Sequence, residues 1–213
     1  MNENKNPNDR KERESSLRIL AAADLHGDSD IANYLARKAE KEKVDLVVLC
    51  GDVLGWVETQ GLIKPFKEKG KRVLIVPGNH ESFATIDFVA SLYDARNLHG
   101  YAVIYNGVGF FGAGGADLGP GTITEEQLME TLEKAHSMLQ GVRKKVMITH
   151  MHPRGSKSEF SGVAGSESIR KAIKRFKPDL HIHGHIHEAG GIEEIIETTK
   201  VVNVSKRGKV IEI

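Results

Sequence analysis

Cysteine is nearly absent from this chain. Cys50 stands alone among 213 residues, which excludes an intrachain disulfide and any zinc site built from several thiolates, and fits a reducing compartment. Charge of one sign is not in excess either: 30 Lys and Arg against 29 Asp and Glu leave a net charge of +1. Such a balance lacks the footprint of a protein that lives on nucleic acid or anionic lipid. No run approaches the roughly 18 consecutive apolar residues that span a bilayer. Residues 1–16 are polar and mixed in charge, without the apolar centre of a signal peptide. These absences predict a cytoplasmic protein that avoids membranes and does not bind nucleic acid strongly, with 1–16 as a disordered polar tail. Cys50, at the end of the apolar run Leu46 to Leu49, is expected as a small buried strand residue.

The chain is long enough for one domain with a real core, expected over residues 17–213. Repeats, internal linkers and an insertion large enough for a separate cap are all missing. Apolar runs at 17–23, 44–49, 73–76, 102–105, 108–111, 146–149 and 180–182 alternate with amphipathic segments, which predicts a sheet layered with helices. Ile31, Leu35 and Ala39 share one helical face, as do Leu128, Leu132, Ala135 and Leu139. Residues 166–176 put Ile169, Ala172, Ile173 and Phe176 inward and a basic stripe outward. The β-rich runs 192–196, 200–204 and 210–213 predict a closing antiparallel meander.

Five islands of ligand-type residues lie where apolar runs end: Asp24-Leu25-His26, Gly51-Asp52, Gly78-Asn79-His80-Glu81, His150, and Gly184-His185-Ile186-His187. Ligands of open α/β sheets bind beyond the carboxyl ends of strands, so several strand ends are expected to converge on one cleft. Carboxylate, imidazole and amide oxygen together suit two borderline divalent ions side by side. Asp24 and His26, two apart, would point the same way if strand geometry continued through them. Each island alone has a plain reading as a turn, a cap or a packed histidine. Their joint order and placement carry the claim.

In that order, Asp-x-His, Gly-Asp, Gly-Asn-His-Glu, a lone His and Gly-His-x-His resemble the calcineurin-like metallophosphoesterases, across residues 24–187. Thr149-His150-Met151-His152-Pro153-Arg154-Gly155 and the run from Pro178 to Glu188 further resemble small proteins related to class III cyclic nucleotide phosphodiesterases. The resemblance implies a four-layer αββα sandwich of two mixed sheets flanked by helices, with two metals per chain at the rim. One would be held by Asp24, His26, Asp52 and His187, the other by Asp52, Asn79, His150 and His185, with Asp52 bridging. Mn²⁺ is the first expectation, with Fe, Zn, Co and Ni open. The implied reaction is in-line attack of a metal-bridging hydroxide on phosphorus, with His80 at the leaving oxygen. Small phosphodiesters, cyclic or simple nucleotide esters, are the expected substrates. Asn79, His80 and Arg154 are the candidate substrate contacts, and Lys157 and Phe160 share the loop with Arg154.

Several points stay open at this stage. The alternatives are a phosphomonoesterase on nucleotides or phosphoproteins, or a weakly active nucleotide-binding or scaffold module; a homo-oligomer is neither required nor excluded. Many relatives read Gly-Asp-x-x-Asp, where the second acid orients the catalytic histidine, but this chain has Gly55 there. Asp28 is a candidate substitute, although a helix cap before Ile31 is its ordinary explanation. His152 competes with His150 as a ligand, and the family pattern favours His150. His181 and His183 are assigned to packing or support, and His99 and His136 to structure or surface. The glycine-rich loop 113–122 is expected as a rim or connecting loop, and Trp56 as a cleft or contact residue.

Overall fold

The computed structural model describes residues 16–55 and 61–213. Trp56 and nearly all of the expected tail lie outside the described residues. Two sheets are stacked. The first has strand order β11-β1-β2-β3-β4, the second β5-β6-β7-β8-β10-β9. Their strands are β1 Arg18–Ala22, β2 Leu46–Cys50, β3 Arg72–Val76, β4 Arg96–Asn97, β5 Ala102–Tyr105, β6 Val108–Ala113, β7 Lys144–Thr149, β8 Leu180–His183, β9 Glu193–Ile196, β10 Thr199–Asn203 and β11 Lys209–Glu212. Parallel pairing of β1, β2 and β3, and of β6, β7, β8 and β10, sends successive carboxyl ends to one rim.

Side-chain alternation explains the layering. Ile19, Ala21, Leu46, Val48, Leu74 and Val76 meet Val108, Phe110, Val146, Ile148, Ile182 and Val202 between the sheets. The other parity of the first sheet, Leu20, Ala22, Val47, Leu49, Val73 and Ile75, packs outward on helices α1 Ser29–Lys41, α2 Lys64–Glu68 and α3 Phe83–Leu92. Phe111 and Met147 of the second sheet pack on α4 Glu125–Ser137 and α5 Glu167–Phe176. Three apolar interfaces make four layers, the expected αββα sandwich. Strands buried on both faces read as near-continuous apolar runs, which is why the runs were visible in the sequence.

Polar side chains set the helix starts. Asp28 caps α1 by accepting from the backbone N–H groups of Asp30 and Ile31, both at 2.9 Å. Ser82 caps α3, Ser166 caps α5, and Thr124 with Gln127 forms a capping box on α4. Among the described residues no helix is long and apolar enough to cross a membrane.

The expected closing meander is not what forms. β9 and β10 make an antiparallel hairpin on the second sheet, but β11 crosses to the first and pairs antiparallel with β1, Arg18 opposite Glu212. An unpaired β1 would leave a sheet edge open; β11 covers it while Ile211 enters the core between the sheets.

Candidate metal centre

The islands sit in the turns that leave β1, β2, β3, β7 and β8, so both sheets contribute side chains to one cleft. Asp24, Asp52, Asn79 and His150 are buried, His26 and His185 half-buried, and His187 and His80 exposed at the mouth. Asp24 (φ 59°), His26 (φ 48°), Asp52 (φ 50°) and His185 (φ 71°) all adopt left-handed backbone that non-glycine residues seldom occupy. Asp24 and His26 therefore converge through tight turns rather than through continued strand alternation. Close approach also demands glycine. A Cβ on Gly78 would lie 2.0 Å from Asp52 Oδ1, and one on Gly184 would lie 2.7 Å from Asp24 Oδ2.

Two groups of donor atoms are visible. His150 Nε2 faces Asn79 Oδ1 at 3.1 Å, His185 Nδ1 at 3.2 Å and Asp52 Oδ2 at 3.4 Å. One ring nitrogen cannot donate a single proton to three partners, whereas all four atoms can surround a cation. His150 Nδ1 donates to the Cys50 carbonyl at 2.8 Å, which fixes the ring and turns Nε2 toward the cleft, the usual support for a metal-binding imidazole. Alongside, His26 Nε2 and His187 Nε2 face each other at 3.1 Å, His187 Nε2 is 3.5 Å from Asp24 Oδ1, and His26 Nε2 is 3.8 Å from Asp52 Oδ2. Asp24 Oδ1 is buried without a hydrogen-bond donor. An unpartnered buried carboxylate oxygen beside two imidazoles fits a divalent cation.

The charges follow from these contacts. Burial would raise the Asp52 carboxyl, but His150 and the backbone N–H of His80 hold it well below the usual carboxylate range. Burial would likewise raise the Asp24 carboxyl, but His187 and His150 outweigh it and lower its pKa. Burial would lower His150, yet Asp52 and Asp24 raise it to about 9. Burial and the neighbouring His150 push His185 down to about 4.

His80 donates its backbone N–H to Asp52 Oδ1 at 2.9 Å, and its ring Nε2 lies 3.8 Å from Asp52 Oδ2. Beside it opens a groove of about 310 Å³ lined by Leu54, Gly55, Ser82, Thr85 and Pro120 with His80 and Glu81. Asp28 is committed to capping α1. Arg154 sits on the exposed loop after β7, its Nε 3.6 Å from both Glu159 and Glu167. His152 is buried, with Nε2 3.2 Å from the Val163 carbonyl, and His181 bonds Thr149 Oγ1 at 2.7 Å inside the second sheet. The loop 113–122 does more than connect. Gly115 N–H donates to the Pro77 carbonyl at 2.9 Å and Gly121 N–H to the Asn79 carbonyl at 3.2 Å, so it buttresses the Gly78–Glu81 turn.

Glu81 is the residue whose role the sequence reading missed. Its buried carboxylate accepts backbone N–H groups from Asp52 at 3.0 Å, Leu54 at 2.8 Å and Gly78 at 2.7 Å, and also from Val53. It thereby ties the loop carrying Asp52 to the loop carrying Asn79 and His80. Burial and the Asp52 charge raise its pKa despite those bonds. The one signal was its place directly after His80 in the third island.

The sequence matches the calcineurin-like phosphoesterase family over residues 17–189. This chain belongs to that family. The Caenorhabditis elegans UPF0046 protein K07C11.7 is 26% identical over 171 residues, 70% of this chain and 58% of that protein, so the chain spans little more than half of its relative. Among solved structures, TT1561 of Thermus thermophilus is similar with TM-score 0.73 at 17% identity, covering 92% of this chain and 98% of that one. A dimetal phosphatase from Danio rerio is similar with TM-score 0.63 at 13% identity, covering 88% and 86%. At such identities the structural likeness speaks for the calcineurin-like fold alone.

Proposed function

We propose that residues 17–213 form a dinuclear metal-dependent phosphodiesterase acting on small nucleotide-type esters. The observation that supports this most directly is the convergence of His150 Nε2, Asn79 Oδ1, His185 Nδ1 and Asp52 Oδ2 beside the unpartnered Asp24 Oδ1. In this reading Asp24, His26, Asp52 and His187 hold one ion and Asp52, Asn79, His150 and His185 the other, with Mn²⁺ the first choice. Such a pair supplies Lewis-acid polarisation of phosphoryl oxygens and water of lowered pKa.

The side chains supply the rest. Asp52, held ionised, lies between the two donor groups and balances their charge. Asn79 adds an oxygen donor without a further negative charge. His80 stands exposed at the mouth beside the about 310 Å³ groove, positioned to protonate or stabilise a departing alkoxide. Leu54, Pro120, Ser82 and Thr85 offer that alcohol an apolar wall and two hydroxyls. A second groove shares no lining residue with the first and includes Lys206, whose N–H bonds the carbonyl of Ala23, the neighbour of Asp24. Two separate grooves suit a phosphorus bearing two organic substituents better than one, which favours the diester over the monoester.

The test is metal analysis paired with hydrolysis of bis-p-nitrophenyl phosphate and p-nitrophenyl phosphate, with and without added Mn²⁺, and Asp52→Asn as control. Two ions per chain and Mn²⁺-dependent diester cleavage that Asp52→Asn abolishes are expected. Faster cleavage of the monoester would reverse the substrate assignment, and a chain that binds no metal would end the proposal.

A further inference from the structure

The second groove has a chemistry of its own. It has a volume of about 580 Å³ and is lined by Asp30, Ile31, Tyr34, Lys38, Lys206, Arg207 and Gly208. That volume falls in the range of small-molecule sites, roughly 300 to 1,000 Å³. Three cations face a single carboxylate, in a protein whose overall charge nearly cancels. Among the described residues, neither Lys206 nor Arg207 has a carboxylate partner. Lys38 is fixed by donating to the Gly208 carbonyl at 3.0 Å. Tyr34 is 54% exposed, an aromatic face left uncovered beside these charges.

The walls of the groove are joined through the backbone to the segments that carry Asp24 and His26. Lys206 N–H donates to the Ala23 carbonyl at 3.0 Å, and Ser205 bridges to Ala23, the residue directly before Asp24. On the other wall, Asp30, Ile31 and Tyr34 belong to the first turns of α1, which starts three residues after His26. Lys206 (φ 62°) takes up left-handed backbone in the turn that carries the basic pair.

We infer that this groove is a second anion subsite, which binds a phosphate group on the non-leaving side of the substrate while Tyr34 stacks on the adjoining base. The inference rests on the phosphodiesterase reading for its reacting phosphorus, and it narrows the substrate class to short nucleotides that carry a phosphate besides the scissile one. Lysine and arginine supply point-charge and forked contacts to phosphate oxygens, and base stacking on an aromatic ring tolerates any base. The about 310 Å³ groove at His80 has no Lys or Arg among its lining residues, so the two sides of the scissile phosphorus are distinguished by charge.

Two linear dinucleotides that differ only in a 5′-terminal phosphate, pApA and ApA, provide the test. Equilibrium binding is measured by calorimetry on metal-depleted and metal-loaded protein, and hydrolysis is followed separately. The expected result is at least tenfold tighter binding of pApA in both forms, and loss of that advantage in the Lys206→Gln/Arg207→Gln variant. Tyr34→Ala should weaken both dinucleotides about tenfold, the scale of one stacked base. Equal affinity of wild-type protein for the two dinucleotides, or an advantage that survives the double variant, overturns the subsite. A retained pApA preference without hydrolysis of either dinucleotide supports the subsite and counts against the catalytic reading instead. Metal content and the urea midpoint of each variant, expected unchanged, show that the protein is folded.

Discussion

The Glu81 carboxylate accepts the backbone N–H of Asp52 at 3.0 Å across a sequence separation of 29 residues, and the same group holds Gly78 at 2.7 Å. One buried anion thus sets the spacing between the two loops that carry Asp52, Asn79 and His80. Glu81→Gln replaces half of that acceptor with an amide N–H facing other N–H groups. The expected cost is about 3 kcal/mol in unfolding free energy, the scale of losing bonds to a charged acceptor. Urea denaturation of the metal-free variant checks this, and metal titration should show weaker binding although Glu81 touches no proposed ion.

His80→Ala should retain both ions and lose about 10²- to 10⁴-fold in turnover, the usual span for a removed general acid. The loss should shrink for esters whose leaving phenol is already acidic. Metal analysis beside kinetics on leaving groups of graded pKa separates this role from a ligand role.

Asp28→Ala tests where that carboxylate acts. A cap of α1 predicts a loss of about 1 kcal/mol in stability with kcat unchanged. If kcat and its pH profile fall together while stability holds, Asp28 serves His80 instead.

The buried histidines predict an optimum of stability for the metal-free protein near pH 6.5 to 7. Burial holds His183 down to about 3 and His181 well below its ordinary value, so both are neutral when folded and take up protons on unfolding. Their contribution is complete above the unfolded value of about 6.5 and is lost as pH falls, with a slope approaching about 1.4 kcal/mol per pH unit for each ring. His150 has the opposite sign. Raised to about 9 by Asp52 against the effect of burial, it stabilises below about 6.5 and that contribution is lost as pH rises toward 9. Urea unfolding from pH 5 to 9 should show a dome, and His150→Gln should flatten chiefly the alkaline side, with a smaller change on the acid side as His185 is released from the neighbouring charge.

Much of the architecture was legible because strands such as Val47, Val48 and Leu49 are buried on both faces and read as unbroken apolar runs. The ligand islands were legible because they occupy strand ends in a fixed order. What was not legible had physical reasons. Helix α3 carries apolar residues on every face, with Phe88 66% and Leu92 60% exposed, so no amphipathic stripe announced it. The destination of β11 depended on which strand edge was free, a property of the assembled sheet and not of the segment 209–212. Glu81 bonds only backbone groups, and nothing in the residue types of Asp52, Val53, Leu54 and Gly78 reveals where their N–H groups point.

The proposed ligands come from both sheets: Asp24, His26, Asp52 and Asn79 from one, His150, His185 and His187 from the other. Each ion would draw ligands from both sheets and so act as a clasp across the seam, and the gap between the sheets at this rim would set how closely its opposing ligands approach. Ala23 and Cys50 line that seam just beneath the centre, and a Cβ on Gly184 would come within 2.4 Å of the Ala23 methyl. Residues that touch no ion would then act as shims, and the fit of the ligands would depend, from inside the core, on the thickness of a methyl group.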